Sequence, residues 1–320
     1  MAINSIRIEN FTVFKEMQIE FSPGINVFIG ENGTGKTHLL KVLYAANTMF
    51  SSNYTHNIND LFGNNFQSGG LRFKINGDDS HPWKSVVSQN TIQQESYIHL
   101  EISEKKASVF IPAKEVLSMA NITKVAEDYK KNLNLDVTIT DIIKTAQNIV
   151  PDVVPELAVK IAPKIEELIE GNVFHNEKDN TFWIYKNNGD KFPFSSEAEG
   201  FKKLGLLWQL IMNKSINEHT ILFWDEPEAN MNRKLLPEVT DILLELSRNG
   251  VQIFLATHDY NLMKYFSIKK KADDQVTFIS LYKTDDGVLS EAADDYDLLE
   301  NNSIIDANIK LYDDDLEGVL

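Results

Sequence analysis

The chain has 320 residues, 42% hydrophobic and 24% charged, which is enough apolar content for one large core or two modest ones and excludes a disordered or fibrous protein. It contains no cysteine, so disulfide frameworks, thiolate zinc sites, iron–sulfur clusters and cysteine nucleophiles are excluded as well. Of the net charge of −16, residues 284–320 hold −11 through twelve acids and one base, leaving −5 for residues 1–283; this argues against broad non-specific DNA coating but leaves room for a local basic strip. The N-terminus has no long apolar stretch of the signal-peptide kind, and no run elsewhere approaches about 18 apolar residues, so a cytoplasmic protein with no membrane partner is expected.

Strands are expected at residues 5–9, 17–21 and 25–29, with Pro23-Gly24 as the turn before the third. The third, INVFI, is nearly all apolar, as suits a strand buried on both faces, and it leads into a segment with helical spacing at Leu39, Val42, Leu43, Ala46 and Met49. Residues 51–70 are rich in Asn, Ser and Gly and read as a loop or insertion. Strand patterns at 71–75, 97–102 and 108–111 suggest a small second sheet. Residues 113–170 turn helical, cut into short pieces by the stretch 132–136 and by prolines 151, 155 and 163. Aromatic-rich strands follow at 172–175 and 181–186, then an amphipathic helix over 197–213. Residues 218–259 read strand, helix, strand in the rhythm of a parallel βαβ unit.

Gly30-Glu31-Asn32-Gly33-Thr34-Gly35-Lys36-Thr37 follows the spacing G-x-x-x-x-G-K-[ST] between a buried strand and a helix, the context in which that spacing wraps a phosphate. Glycines admit the anion closely, and backbone N–H groups from about Asn32 to Thr37 point at it. The helix that follows adds its positive end. Lys36 would neutralise β/γ-phosphate charge and the Thr37 hydroxyl would ligate Mg²⁺. Gly30, Asn32, Gly33, Thr34, Gly35, Lys36, Thr37 and the adjacent His38 are the candidate nucleotide contacts; a glycine-rich turn with a chance lysine is the plain alternative. The apolar run 221–224 ends in Asp225 and Glu226, where ligands meet the C-terminal edge of a parallel sheet. Asp225 is the second candidate Mg²⁺ ligand and Glu226 the candidate general base for an attacking water. Taken alone, the pair could simply cap the next helix. The strand 252–256 delivers Thr257-His258-Asp259, placing His258 as a candidate catalytic sensor of the γ-phosphate or as an ordinary polar strand end.

The opening IRIENFTVF with GINVFIGENGTGKTHLLK, the pair FWDEPEAN and LATHD, and the intervening SSEAEGFKKLGLLWQL together resemble ABC-type ATPases of the SMC/RecF/OLD-like group. The likeness spans about the first fifty residues and roughly 192–265. It implies an α/β P-loop NTPase fold of ABC-ATPase head type: a mixed, mostly parallel sheet flanked by helices, with an additional small antiparallel sheet and an inserted helical subdomain. The ATPase core would be discontinuous, residues 1–50 plus 172–283, around a β/helical insertion at 51–171, with an acidic segment at 284–320. The resemblance further implies ATP and Mg²⁺ as cofactors and a homodimer or higher homo-oligomer, each ATP sandwiched between one protomer's phosphate loop and the other's signature motif.

The signature position falls on residues 195–200, with Ser196, Glu199 and Gly200 as candidate contacts to the partner's nucleotide; it departs from the common S-G-G-Q form, and a simple helix N-cap also accounts for its Ser and Glu residues. Ala229 to Asn232 occupies the place of the dimer-contact loop, with Asn232 where aspartate or histidine is usual. The glutamine loop is unassigned, since its place offers Lys114 and Glu115. Phe11, Phe14 and Lys15 lie where relatives contact adenine, although the two Phe residues equally suit a buried pair. Lys269-Lys270-Lys271 reads either as a DNA phosphate contact or as a solvated helix end. Leu298, Ile304, Ile305, Ile309 and Leu311 mark the acidic tail as a folded or docking element.

The function expected from this resemblance is an ATP-driven switch that regulates a separate effector protein, a nuclease or toxin, in prokaryotic anti-phage defence such as the PARIS or OLD-like systems. Only about sixty residues follow His258, too few for the Toprim nuclease domain fused to this ATPase in OLD-like nucleases. The alternative is a RecF-like repair ATPase that clamps DNA in its ATP-bound dimer. A metabolic kinase or a transporter ATPase fits less well, because the DEP and ATHD segments suit an ATPase dimer and no membrane-docking signal is recognisable.

Overall fold

Strand INVFI is the centre of the structure: all five of its residues are buried, and everything that positions the candidate site is arranged around it. A computed structural model describes residues 3–48, 61–62, 71–76, 84–86, 96–102, 106–122 and 136–319. In chain order the first half forms β1 (Ile3–Phe11), β2 (Phe14–Glu20), β3 (Ile25–Ile29), α1 (Lys36–Thr48), β4 (Leu71–Asn76), β5 (Lys84–Val86), β6 (Ser96–Ile102), β7 (Ala107–Ile111), α2 (Val137–Ala146) and α3 (Glu156–Ile169). The second half forms β8 (Gly171–Asn176), β9 (Thr181–Lys186), β10 (Lys191–Pro193), α4 (Glu199–Met212), β11 (Thr220–Asp225), α5 (Leu236–Arg248), β12 (Gln252–Ala256), α6 (Tyr260–Lys269), β13 (Val276–Thr284), β14 (Gly287–Ala293) and α7 (Ser303–Val319).

Three sheets result. The largest has the order β14-β13-β3-β12-β11-β7, with β13, β3, β12, β11 and β7 parallel and β14 antiparallel at one edge. A second has the order β2-β1-β6-β4-β5, and a third, β10-β9-β8, is antiparallel. The fold is thus a mixed sheet with flanking helices and small accessory sheets, as the resemblance implies.

Both faces of the parallel sheet are covered, which explains its continuous apolar runs. Val27, Leu222, Trp224, Ile253 and Leu255 face one hydrophobic cluster together with α3, α4, α5 and α6. Phe28, Phe223 and Phe254 face the other with α1 and the second sheet. These three rings stack across neighbouring strands, 6.2 Å from Phe28 to Phe254 and 5.2 Å from Phe223 to Phe254. The buried Gln252 side chain joins two sheets by accepting from Ile3 N at 2.8 Å and donating to Ile3 O at 2.9 Å and Ser22 O at 2.8 Å. Because β12 lies between β3 and β11, the ends of all three strands emerge side by side.

Several expectations change in three dimensions. Residues 107–111 do not join a small separate sheet: β7 pairs with β11 as the far edge of the main one. Residues 287–293, grouped in sequence with the acidic tail, pair with β13 as its other edge. Pro163 does not cut the helical region, because α3 runs through it; the carbonyl it leaves without an N–H partner is that of Val159, an exposed residue. The tail starts folded, Ile304 and Ile305 packing against the core, and then projects, with Ile309 and Leu311 exposed. Residues 51–60, 63–70 and 123–135, where a loop and an Asn-rich break were expected, lie outside the described residues, as does Met49. Among the described residues no helix is long and apolar enough to cross a membrane.

Candidate nucleotide site

Two positions in the turn from β3 into α1 require glycine. At Gly30, φ is +143° and an added Cβ would lie 2.2 Å from the Leu281 carbonyl oxygen of β13. At Gly35, φ is +89° and the Cβ would lie 2.5 Å from the Phe14 ring and 2.8 Å from Val13 Cγ2. The loop is therefore cast against β13 on one side and the β1–β2 turn on the other. Gly35→Ala is expected to cost about 1–3 kcal/mol in backbone strain and to weaken nucleotide binding at least about tenfold. Parallel thermal melts and fluorescent-nucleotide titrations read both, and wild-type values in both would refute this account of the loop.

Inside the loop, the Lys36 ammonium donates to Gly30 O at 2.7 Å and Glu31 O at 2.9 Å, so it is folded back over the residues that would wrap a phosphate. Burial holds its pKa below the usual lysine value, while Glu226, Asp225, Glu228 and Glu31 pull the other way. Thr37, 188 residues from Asp225 in sequence, donates its hydroxyl to that carboxylate at 2.9 Å (Oδ2) and 3.2 Å (Oδ1). Burial raises the Asp225 pKa, and the Thr37 hydrogen bond opposes the shift. His38 packs edge-on against the Phe62 ring, and burial, then Lys41, lowers its pKa. Thr34 Oγ1 donates back to Glu31 O at 2.9 Å, and Lys283 Nζ reaches Asn32 O at 3.0 Å from β13.

Glu226 follows β11 in the left-handed region, with φ +45°, and its N–H donates to Ala256 O at 2.8 Å. Its side chain is part-exposed, 3.3 Å from His258 Nδ1. Residues 225, 226 and 258 thus meet beside the phosphate loop. A further carboxylate, not singled out in the sequence, completes the group: Glu228 is buried, its Oε1 accepting from Thr257 Oγ1 at 2.6 Å and from His258 N at 3.3 Å. Glu228 Oε2 is buried without a hydrogen-bond partner, and burial raises the residue's pKa. Below them lies the equally unforeseen Lys203 of α4, buried, donating to Glu226 O at 2.8 Å and Pro227 O at 3.4 Å. Burial pushes its pKa down to about 8 against the pull of Glu228, Glu226, Glu199 and Asp225.

The signature candidates lie at the start of α4. The simple-cap alternative does not hold: the N-cap is Ala198, with no side-chain cap, and Ser196 ends a short 3-10 turn ahead of it. Glu199 accepts from Lys202 Nζ at 2.9 Å, and Gly200 lies against Met231 of the expected dimer-contact loop and against Leu235 beyond it. Asn232 there accepts from Lys234 N at 3.0 Å, capping a one-turn helix. Phe11 and Phe14 are core residues and offer no ring to adenine, whereas Lys15 is exposed. Glu115 turns inward, 4.0 Å from Lys202 Nζ. Lys269 pairs with Asp241 at 2.7 Å and Lys270 with the Asp294 carbonyl, so both are engaged within the chain, in keeping with a helix end.

The donor set suits a hard cation held jointly with phosphates. Among the described residues no three His, Asp or Glu side chains form a metal cluster by themselves, while Thr37 and Asp225 offer oxygen donors of the kind Mg²⁺ takes alongside phosphate oxygens.

Two family models match the chain: an AAA ATPase domain over residues 1–115, and an AAA domain described as putative AbiEii toxin, Type IV TA system, over residues 120–264. The DNA replication and repair protein RecF of Oenococcus oeni is 41% identical over 61 residues, covering 19% of this chain and 16% of that protein. RecF of Alkaliphilus oremlandii is 24% identical over 111 residues, 35% of this chain and 23% of that one. The matches therefore span less than a quarter of these relatives' length. Among solved structures, an Smc head bound to the C-winged helix domain of ScpA is similar over 92% of this chain and 98% of its own, with TM-score 0.52 and 13% identity. An Smc head with an extended coiled coil, bound to the C-terminal domain of ScpA derived from Pyrococcus furiosus, gives 91%, 96%, 0.50 and 10%. At these identities the likeness shows the fold.

Proposed function

We propose that the chain is an ABC-type ATPase of the SMC/RecF kind, that it hydrolyses ATP and that it works as a switch, closing as a homodimer on ATP and reopening after hydrolysis. The observation that carries this reading is the 2.9 Å hydrogen bond from Thr37 to Asp225, which joins the phosphate loop to the acidic strand end across 188 residues. Gly30 to Thr37 with His38 would hold the triphosphate, and Thr37 and Asp225 would hold Mg²⁺. When bound, that ion would neutralise phosphate charge. Glu226 is the proposed base that takes a proton from the attacking water, and His258, against its carboxylate, orients it and senses the γ-phosphate side. Ser196, Glu199 and Gly200 are proposed to reach the partner protomer's nucleotide, since the first turn of α4 has uncapped N–H groups.

Coupling requires ATP to bind the closed state better than the open one, because only differential affinity shifts the equilibrium. The output is proposed to be regulation of a separate cytoplasmic effector, a nuclease or toxin of anti-phage defence, through the inserted region or the projecting acidic α7. Light scattering with and without ATP, beside a phosphate-release assay, tests the switch. An ATP-dependent doubling of mass and steady phosphate release are expected; neither occurring would end this reading. The RecF likeness supports a second reading, a dimer that clamps DNA. That reading requires ATP-dependent, salt-sensitive duplex retention on filters, which an effector-regulating ATPase need not show.

A further inference from the structure

The buried ammonium beneath the acidic strand end is not used by the mechanism above, and a lysine is costly to bury without a task. Lys203 is 2% exposed, yet among the described residues its Nζ makes no close ion pair; it donates instead to two backbone carbonyls, Glu226 O at 2.8 Å and Pro227 O at 3.4 Å. Glu226 is the residue whose backbone needs holding, since φ of +45° is unfavourable for a side chain of its kind. The N–H of the same residue donates to Ala256 O of β12. The two peptide groups flanking the Glu226 Cα are thus each held, the preceding one by a neighbouring strand and the following one by α4, and the direction of the carboxylate follows from those two holds. Lys203 also lies one helical turn beyond Gly200, on the helix whose first turn is proposed to meet the partner's nucleotide.

We propose that Lys203 is a positioning residue for Glu226: it clamps the backbone of the general base in its turned conformation and ties that conformation to the seating of the signature helix. A shift of α4 on dimer closure would then move Glu226 directly, within the same protomer, so that hydrolysis waits for closure. The proposal rests on the ATPase reading and adds to it the link by which one site is licensed from the interface. A misplacement of the base by about 1 Å is enough to cost about a hundredfold in rate.

The test is steady-state hydrolysis and nucleotide titration on the full chain carrying Lys203→Met, with Lys203→Arg as the conservative rescue. Gln209→Leu is the control for α4 itself, because Gln209 is equally buried there but donates to Ala146 O at 2.9 Å, away from the site. Expected are an ATP dissociation constant within about twofold of wild type and a kcat about a hundredfold lower for Lys203→Met, at least a tenth of the wild-type rate for Lys203→Arg, and wild-type turnover for Gln209→Leu. Wild-type turnover in Lys203→Met overturns the proposal, as does loss of nucleotide affinity in step with rate, or an equal loss in Gln209→Leu. Should the methionine variant not fold, Lys203→Gln takes its place: polar but too short to reach the carbonyls, it must also lose turnover, and a wild-type rate overturns the proposal. A wild-type protein that releases no phosphate at all sinks the ATPase reading and this one with it; a hydrolysing wild type with an indifferent Lys203→Met sinks this one alone.

Discussion

Glu226→Gln should bind ATP as tightly as the wild-type chain and turn it over at least about a hundredfold more slowly, the usual contribution of a positioned general base. Glutamine keeps the shape of the side chain, and both backbone holds on residue 226 survive, from Ala256 O and from Lys203, because neither uses the carboxylate. What is lost is the proton acceptor beside His258 Nδ1. Substrate binding relies on the loop 30–37, which the change leaves alone. The substituted protein should therefore accumulate in its ATP-bound form, seen as a mass shift in light scattering that persists for as long as ATP is present instead of decaying with phosphate release. Hydrolysis at the wild-type rate would remove Glu226 from the mechanism. Hydrolysis lost together with ATP affinity would mean that the residue supports the loop and has no part in the chemistry.

The parts of this site legible in sequence were those written locally. INVFI followed by Gly-x-x-x-x-Gly-Lys-Thr states a buried strand, a wrapped loop and a helix start within fifteen residues, and the apolar runs before Asp225 and His258 state two more strands with ligand-facing ends. That β12 inserts between β3 and β11, so that the three ends become neighbours, is a property of the sheet order, for which the resemblance was needed. Glu228 and Lys203 were passed over for a different reason. Each reads as a surface charge unless its burial is known, and burial is a tertiary property.

A signal for Lys203 was nevertheless present. It is in register with Leu207 and Leu210 on the apolar face of α4, whose leucines join the larger hydrophobic cluster, where a lysine is out of place. For Glu228 the signal was weaker: a second carboxylate two residues after the first, in a segment whose neighbours were already assigned. The edges of the main sheet were hidden more deeply. β7 ends in a short buried apolar run and β14 is a mostly part-exposed strand, and nothing in either pattern names the strand it will pair with.

Lys36→Ala is expected to remove ATP binding from the measurable range. The lysine stands among Glu31, Asp225, Glu226 and Glu228, and burial already works against its charge. Truncating one partner of a desolvated charge contact between two molecules costs about 2–5 kcal/mol of binding, and here the lost partner is the ammonium that would meet the triphosphate in a site with four carboxylates. At about 1.4 kcal/mol per decade this is a loss of roughly thirtyfold to several thousandfold in affinity. The same substitution should be mild for the fold, since among the described residues Nζ bonds to Gly30 O and Glu31 O alone, in a loop whose residues 31–33 are exposed. Fluorescent-nucleotide titration beside a thermal melt separates the two effects: no saturable binding, with a melting temperature near that of the ligand-free wild type. Wild-type affinity in Lys36→Ala would mean that the phosphates sit somewhere other than the loop, and with that the site built from Thr37, Asp225 and Glu226 would have no substrate to act on.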